Sequence, residues 1–100
     1  MSGSFAELIA SDIRLVILRC LNEDPGYGSN ESMLQAMLEA LGHTVSRDRV
    51  RTELAWLTEQ GLVTVTAVVG VQVATLTERG SDTATGRATV PGVKRPRPGA

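Results

Sequence analysis

Three arginines alternate along one short stretch, Arg47, Arg49 and Arg51, and Thr52 follows them. Guanidinium groups grip phosphates or guanine edges with two donors at once, and a threonine suits a phosphate or a thymine methyl. Four further cations, Arg87, Lys94, Arg95 and Arg97, lie in the last fourteen residues without an acid among them. Lys94, Arg95 and Arg97 therefore suit phosphate contacts along a duplex backbone or in its minor groove, as basic arms make them. Other chemistry lacks material. A single histidine, His43, and a single cysteine, Cys20, do not furnish a nucleophile with its base. His, Cys, Asp and Glu show no spacing that would supply the three or four ligands of a metal site. No glycine-rich loop leads from a strand into a helix in the phosphate-cradling pattern. We expect neither an enzyme nor a cofactor or metal site.

These residues must be positioned by a small scaffold. One hundred residues make one domain, and its three aromatics, Phe5, Tyr27 and Trp56, leave the core to aliphatic side chains. A first helix is expected from Ser4 to about Asn22, opened by the capping-box pair Ser4 and Glu7. Leu8, Ile13, Val16, Ile17, Cys20 and Leu21 recur on its apolar face, and Pro25-Gly26 stops it. Tyr27 falls where a very short strand would precede the next helix. That helix is expected over Glu31 to Leu41, capped by Ser29 or Asn30 and closed by Gly42, with Met33, Leu34, Met37, Leu38 and Leu41 buried. His43-Thr44-Val45 is the turn.

The third helix, Arg47 to Gln60, carries the arginines. Ser46 is its cap, Val45 and Val50 form a hydrophobic staple, and Gly61-Leu62 ends it in a Schellman motif with Leu57. Val50, Leu54 and Leu57 fall within about 60° on the helical wheel and mark the core side. Opposite them lie Asp48, Thr52, Ala55 and Glu59, flanked by Arg51 on one side and by Arg49 and Trp56 on the other. Trp56 is off the core stripe. It either packs on the following hairpin or last helix, or meets a partner, since tryptophan is favoured in interface hot spots.

Leu62–Val68 and Val71–Leu76, rich in Val and Thr and separated by Val69-Gly70, read as a β-hairpin. Thr77 caps a last helix to about Thr85, weakened by Gly80. Residues 87–100, with their prolines and glycines, read as a disordered or extended basic tail on a domain of residues 1–86. The charge divides there: 1–86 hold six arginines against all eleven acids, a net of −5, whereas the tail is cationic.

The order helix, helix, turn, helix, hairpin, helix is that of an α+β, mainly α, winged helix-turn-helix with a β-hairpin wing and a C-terminal helix. Ser46 through Val63 resembles the recognition helix and first wing strand of such domains, and Leu76-Thr-Glu-Arg-Gly80 resembles their exit from the wing. Most of the chain, from Ser4-Phe-Ala-Glu-Leu-Ile9 to Val90-Pro-Gly-Val-Lys-Arg-Pro96, is similar to small winged-helix (ArsR-like) proteins of Mu-like bacteriophages and prophages. ArsR-type metal sensing is not implied, because the Cys-x-Cys sensor pattern is absent.

Two readings follow. In the first, a DNA-binding accessory or transcriptional regulator of a Mu-like phage acts in the host cytoplasm. Arg47, Arg49, Arg51, Thr52, Lys94, Arg95 and Arg97 then touch double-stranded DNA. In the second, a winged helix serves as a protein-interaction module beside phage DNA packaging or morphogenesis and binds a phage protein. Residues 46–60 balance three arginines with three acids, and residues 62–77 hold no Lys or Arg. The first fact suits a solvated helix face and the second favours the interaction module, whereas the tail's Lys94, Arg95 and Arg97 or a homodimer would restore phosphate contacts. No apolar run approaches the ~20 residues of a membrane span, and no secretory signal opens the chain.

Overall fold

A computed structural model describes residues 4–98. Four helices and three strands follow in the order α1 (Phe5–Glu23), β1 (Gly28–Asn30), α2 (Glu31–Ala40), α3 (Arg47–Glu59), β2 (Val63–Val68), β3 (Val71–Leu76) and α4 (Glu78–Thr85). The strands form one antiparallel sheet ordered β1-β3-β2. This is the α+β, mainly helical winged-helix layout.

Local chemistry sets the boundaries. Ser4 Oγ accepts the Glu7 amide and bonds the Glu7 carboxylate at 3.1 Å, a side-chain variant of the capping box. Asn30, rather than Ser29, caps α2 by accepting the Met33 amide. Ser46 caps α3 through the Arg49 amide. That helix ends in the expected Schellman pair, with Leu62 N donating to Leu57 O and Gly61 N to Thr58 O. The same pattern closes α2, where His43 N donates to Leu38 O.

The core joins Ile13, Ile17, Leu18 and Leu21 of α1 to Leu34 and Leu38 of α2 and to Val50, Leu54 and Leu57 of α3, and Leu62, Val63 and Ala74 seal it from the sheet side. Three residues expected on buried faces, Leu8, Met33 and Leu41, are instead more than half exposed. Leu8 belongs to the first turn of α1, where Phe5 through Glu7 are exposed as well. Met33 and Leu41 flank the buried pair Leu34 and Leu38, so the covered stripe of α2 is narrower than its apolar pattern.

Gly80 reverses its expected role. A Cβ there would lie 2.0 Å from the Leu62 carbonyl oxygen and 2.6 Å from Leu76 Cδ1, so α4 packs on the base of the wing only because residue 80 has no side chain. The turn at the wing's other end carries strain. Val69 and Gly70 both have positive φ, 51° and 77°, as a two-residue I′ hairpin requires. A β-branched residue in that conformation costs about 1–2 kcal/mol. Val69→Asn is therefore expected to raise stability by about 1 kcal/mol in urea denaturation, and a loss of stability would contradict the strain assignment.

The chain beyond α4 was expected to be disordered or extended, and it packs. Val90 and Val93 are buried against the core. Lys94 N donates to Ser11 O at 3.2 Å. The two valines supply the apolar anchors that the surrounding prolines and glycines lack.

Candidate nucleic-acid interface

The exposed side of α3 starts at its N-terminal turn, where Ser46 fixes the chain and Arg47 and Asp48 face solvent. Arg47 is half exposed, and its Nε stands 3.9 Å from Glu31 Oε1, beyond hydrogen-bond reach. Arg49 lies one residue round from Asp48. Its Nε bonds Glu53 Oε2 at 2.7 Å, which leaves both terminal amino groups without a protein partner among the described residues. Arg51 is held most firmly. Its Nε and one terminal nitrogen grip both oxygens of Glu31 at 2.6 and 2.8 Å, and that terminal nitrogen also donates to Gly70 O at the wing turn. Thr52 is exposed and its hydroxyl donates back to Asp48 O at 3.1 Å.

Two buried carboxylates organise this surface. Glu53 projects from α3 and takes Arg49 on one oxygen and Arg14 of α1 on the other, each at 2.7 Å. Arg14 in turn lies over the Trp56 ring, 3.9 Å from its centroid, and donates to Gly92 O at 3.0 Å. Gly92 has a φ of +96°, and a Cβ there would meet Trp56 at 2.6 Å. Trp56 thus packs on Arg14 and the tail, partners that its place on the helical wheel did not suggest. Glu31, at the start of α2, is fully buried and also accepts the Gln72 amide at 2.6 Å. The Arg51 hydrogen bonds and then the Gln72 amide hold its carboxyl at about 2, well below the usual range.

The tail cations divide. Lys94 Nζ is drawn to Asp12 Oδ1 at 3.4 Å. Asp12 also meets His43 Nε2 at 2.6 Å, so the helix-turn-helix turn, α1 and the tail share one carboxylate. Burial raises the Asp12 carboxyl, but the His43 hydrogen bond and Lys94 outweigh it, and its net shift is downward. Arg95 and Arg97 are exposed and pair with no carboxylate among the described residues. The structure therefore brings Arg47, Arg49, Arg51 and Thr52 together on one helix. It places Lys94 near the middle of α1, and Arg95 and Arg97 beside the C-terminal ends of α1 and α4.

Over 92 residues, 92% of this chain and 95% of the other, the sequence is 56% identical to a protein of Escherichia phage Mu described as uncharacterized protein gp26. The chain belongs to the family of phage Mu gp26. A Haemophilus influenzae protein, also described as uncharacterized, is 52% identical over 77 residues, covering 76% of this chain and 74% of that protein. No protein-family model matches the chain.

In this Mu gp26 family member, sequence reasoning found the arginines and missed their anchors. Glu53 stands four residues after Arg49, a helix pairing that was visible in the sequence. Glu31 gave no such signal, because its partners Arg51 and Gln72 are 20 and 41 residues away. Its depressed carboxyl has a pH consequence. A group whose folded-state value lies below its unfolded one contributes stability that is present above the unfolded value, near 4.5, and is lost as pH falls toward about 2. Wild-type protein is expected to lose more stability than Glu31→Gln between about pH 6 and about pH 2 in parallel thermal melts. Parallel curves for the two proteins would refute the role given to Glu31. Among the described residues no group of three or more His, Cys, Asp and Glu side chains is arranged to hold a metal, and no helix is long and apolar enough to cross a membrane.

Proposed function

We propose that this Mu-family protein is a non-enzymatic DNA-binding accessory or transcriptional regulatory factor acting in the host cytoplasm, with α3 as the element that enters the major groove. One observation carries the reading: the first turns of α3 present Arg47, Arg49 and Arg51 beside the exposed Thr52, two of the arginines seated on buried carboxylates. In helix-turn-helix proteins these turns of the second helix read base edges. Glu53 and Glu31 fix the guanidinium planes of Arg49 and Arg51, so less rotamer freedom is lost when a phosphate or guanine is met. They also neutralise part of the charge. Arg47, 3.9 Å from the nearest carboxylate oxygen, is therefore the strongest phosphate ligand of the three. Arg51 acts partly as a strut that ties the wing turn to α2 and α3.

Binding of a random duplex across a salt series tests this. Wild-type affinity is expected to fall steeply with salt, and Arg47→Ala and Arg49→Ala are each expected to lower the logarithmic slope by about 1. Slopes and affinities unchanged by both substitutions would reject the contact assignment.

The second reading, a protein-interaction module beside phage DNA packaging or morphogenesis, draws on the wing. Residues 62–77 carry no charge, and the tip residues Val68 and Val69 are 56% and 97% exposed. An uncharged apolar tip suits a protein surface better than a phosphate backbone. Wild-type protein that binds no duplex at low salt would favour this role.

A further inference from the structure

A cavity of about 530 Å³ lies between the C-terminal ends of α1 and α4 and the returning tail. Arg19, Arg95 and Arg97 line it, together with Asn22, Thr85 and Gly86. None of these arginines forms an ion pair among the described residues, unlike Arg14, Arg47, Arg49 and Arg51, each of which lies within 4.0 Å of a carboxylate oxygen. Three like charges around one cavity repel unless an anion joins them. The protein offsets part of that charge itself: Glu23 also lines the cavity, and the ends of α1 and α4 each contribute roughly half a negative charge. Those terms come to about two negative units against three positive ones, so the cavity keeps a positive surplus.

We propose that this cavity is a phosphate-binding site, with Arg19, Arg95 and Arg97 as its ligands. The site deepens the DNA reading, on which its backbone-phosphate source rests, by joining Arg19 to the two tail arginines and giving them one shared target. Guanidinium groups suit this role because their planar donors meet phosphate oxygens in pairs. The docked tail makes the site: Val90 and Val93 anchor it, and Arg95 and Arg97 follow within a few residues. Phosphate on a duplex backbone and phosphate on a free polyanion share this chemistry, and the two are separable by experiment.

Inorganic pyrophosphate titrated into the isotope-labelled full chain at low salt is expected to shift the amides of Asn22, Thr85 and Gly86 saturably. Arg95→Gln combined with Arg97→Gln, both exposed positions, is expected to weaken that binding at least about tenfold, by loss of two charge-assisted contacts. Arg19→Gln is expected to weaken it as well. Duplex binding then assigns the source. A salt slope lowered by about 2 in the double variant identifies backbone phosphate. An unchanged slope with pyrophosphate binding intact in the wild type identifies a free phosphoanion. Should the wild type bind pyrophosphate here and no duplex at all, the DNA reading falls and the site stands. Absence of saturable shifts, or equal shifts in the double variant, overturns the site whatever α3 does.

Discussion

Gly80→Ala is expected to destabilise the domain by about 3 kcal/mol or more, the largest effect of any substitution considered. Helix propensity points the other way, since alanine is favoured over glycine inside a helix by about 1 kcal/mol. Space decides the sign. The new methyl would stand 2.0 Å from the Leu62 carbonyl oxygen, which is backbone and already accepts the Thr77 amide. Relief requires α4 to move off the wing base, which breaks the Thr77 cap and the Thr77–Gly61 hydrogen bond. Small domains hold only about 5–15 kcal/mol in total, so such a loss is a large fraction of it. Urea denaturation measures it directly, and an unchanged or higher midpoint would show that α4 is not seated as described.

Glu53→Leu is the second. It leaves Arg14 and Arg49 facing an apolar side chain where each had a carboxylate oxygen at 2.7 Å. Removing one partner of a buried pair costs about 3–5 kcal/mol, and the partial exposure of both arginines places the expected loss at about 2–3 kcal/mol. Glu53→Gln, which keeps one acceptor, is expected to lose less. The two effects differ in kind as well as size. Loosening Arg14 also frees the Trp56 face and the Gly92 carbonyl, so Trp56 fluorescence should change in Glu53→Leu before global unfolding. A variant within about 0.5 kcal/mol of wild type would mean that Glu53 is not an anchor.

Much of the scaffold was legible because it is punctuated locally. Ser46, Gly61 and Leu62 announce the two ends of α3 within the residues that form them, and Val69-Gly70 announces the hairpin. What escaped depends on residues far apart. Nothing near Gly80 in sequence tells that Leu62 O will sit against it. Proline and glycine content correctly describes a tail with no regular structure, yet two well-placed valines dock it. The arginines of the candidate interface were visible by type and spacing. The Arg49–Glu53 spacing was visible too, but the burial of Glu53 and the pairing of Arg51 with Glu31 were not, since both are decided by tertiary contacts. Trp56 illustrates the same limit: it lies partly buried at the edge of the core, and its partners Arg14 and Gly92 come from α1 and the tail.

Amide shifts of the labelled protein on addition of a short random duplex at low salt report the contact surface residue by residue. Perturbations concentrated over residues 46–52 are expected if α3 meets the groove. Shifts confined to the wing at 63–76, or none at any duplex concentration, would contradict a DNA-facing α3.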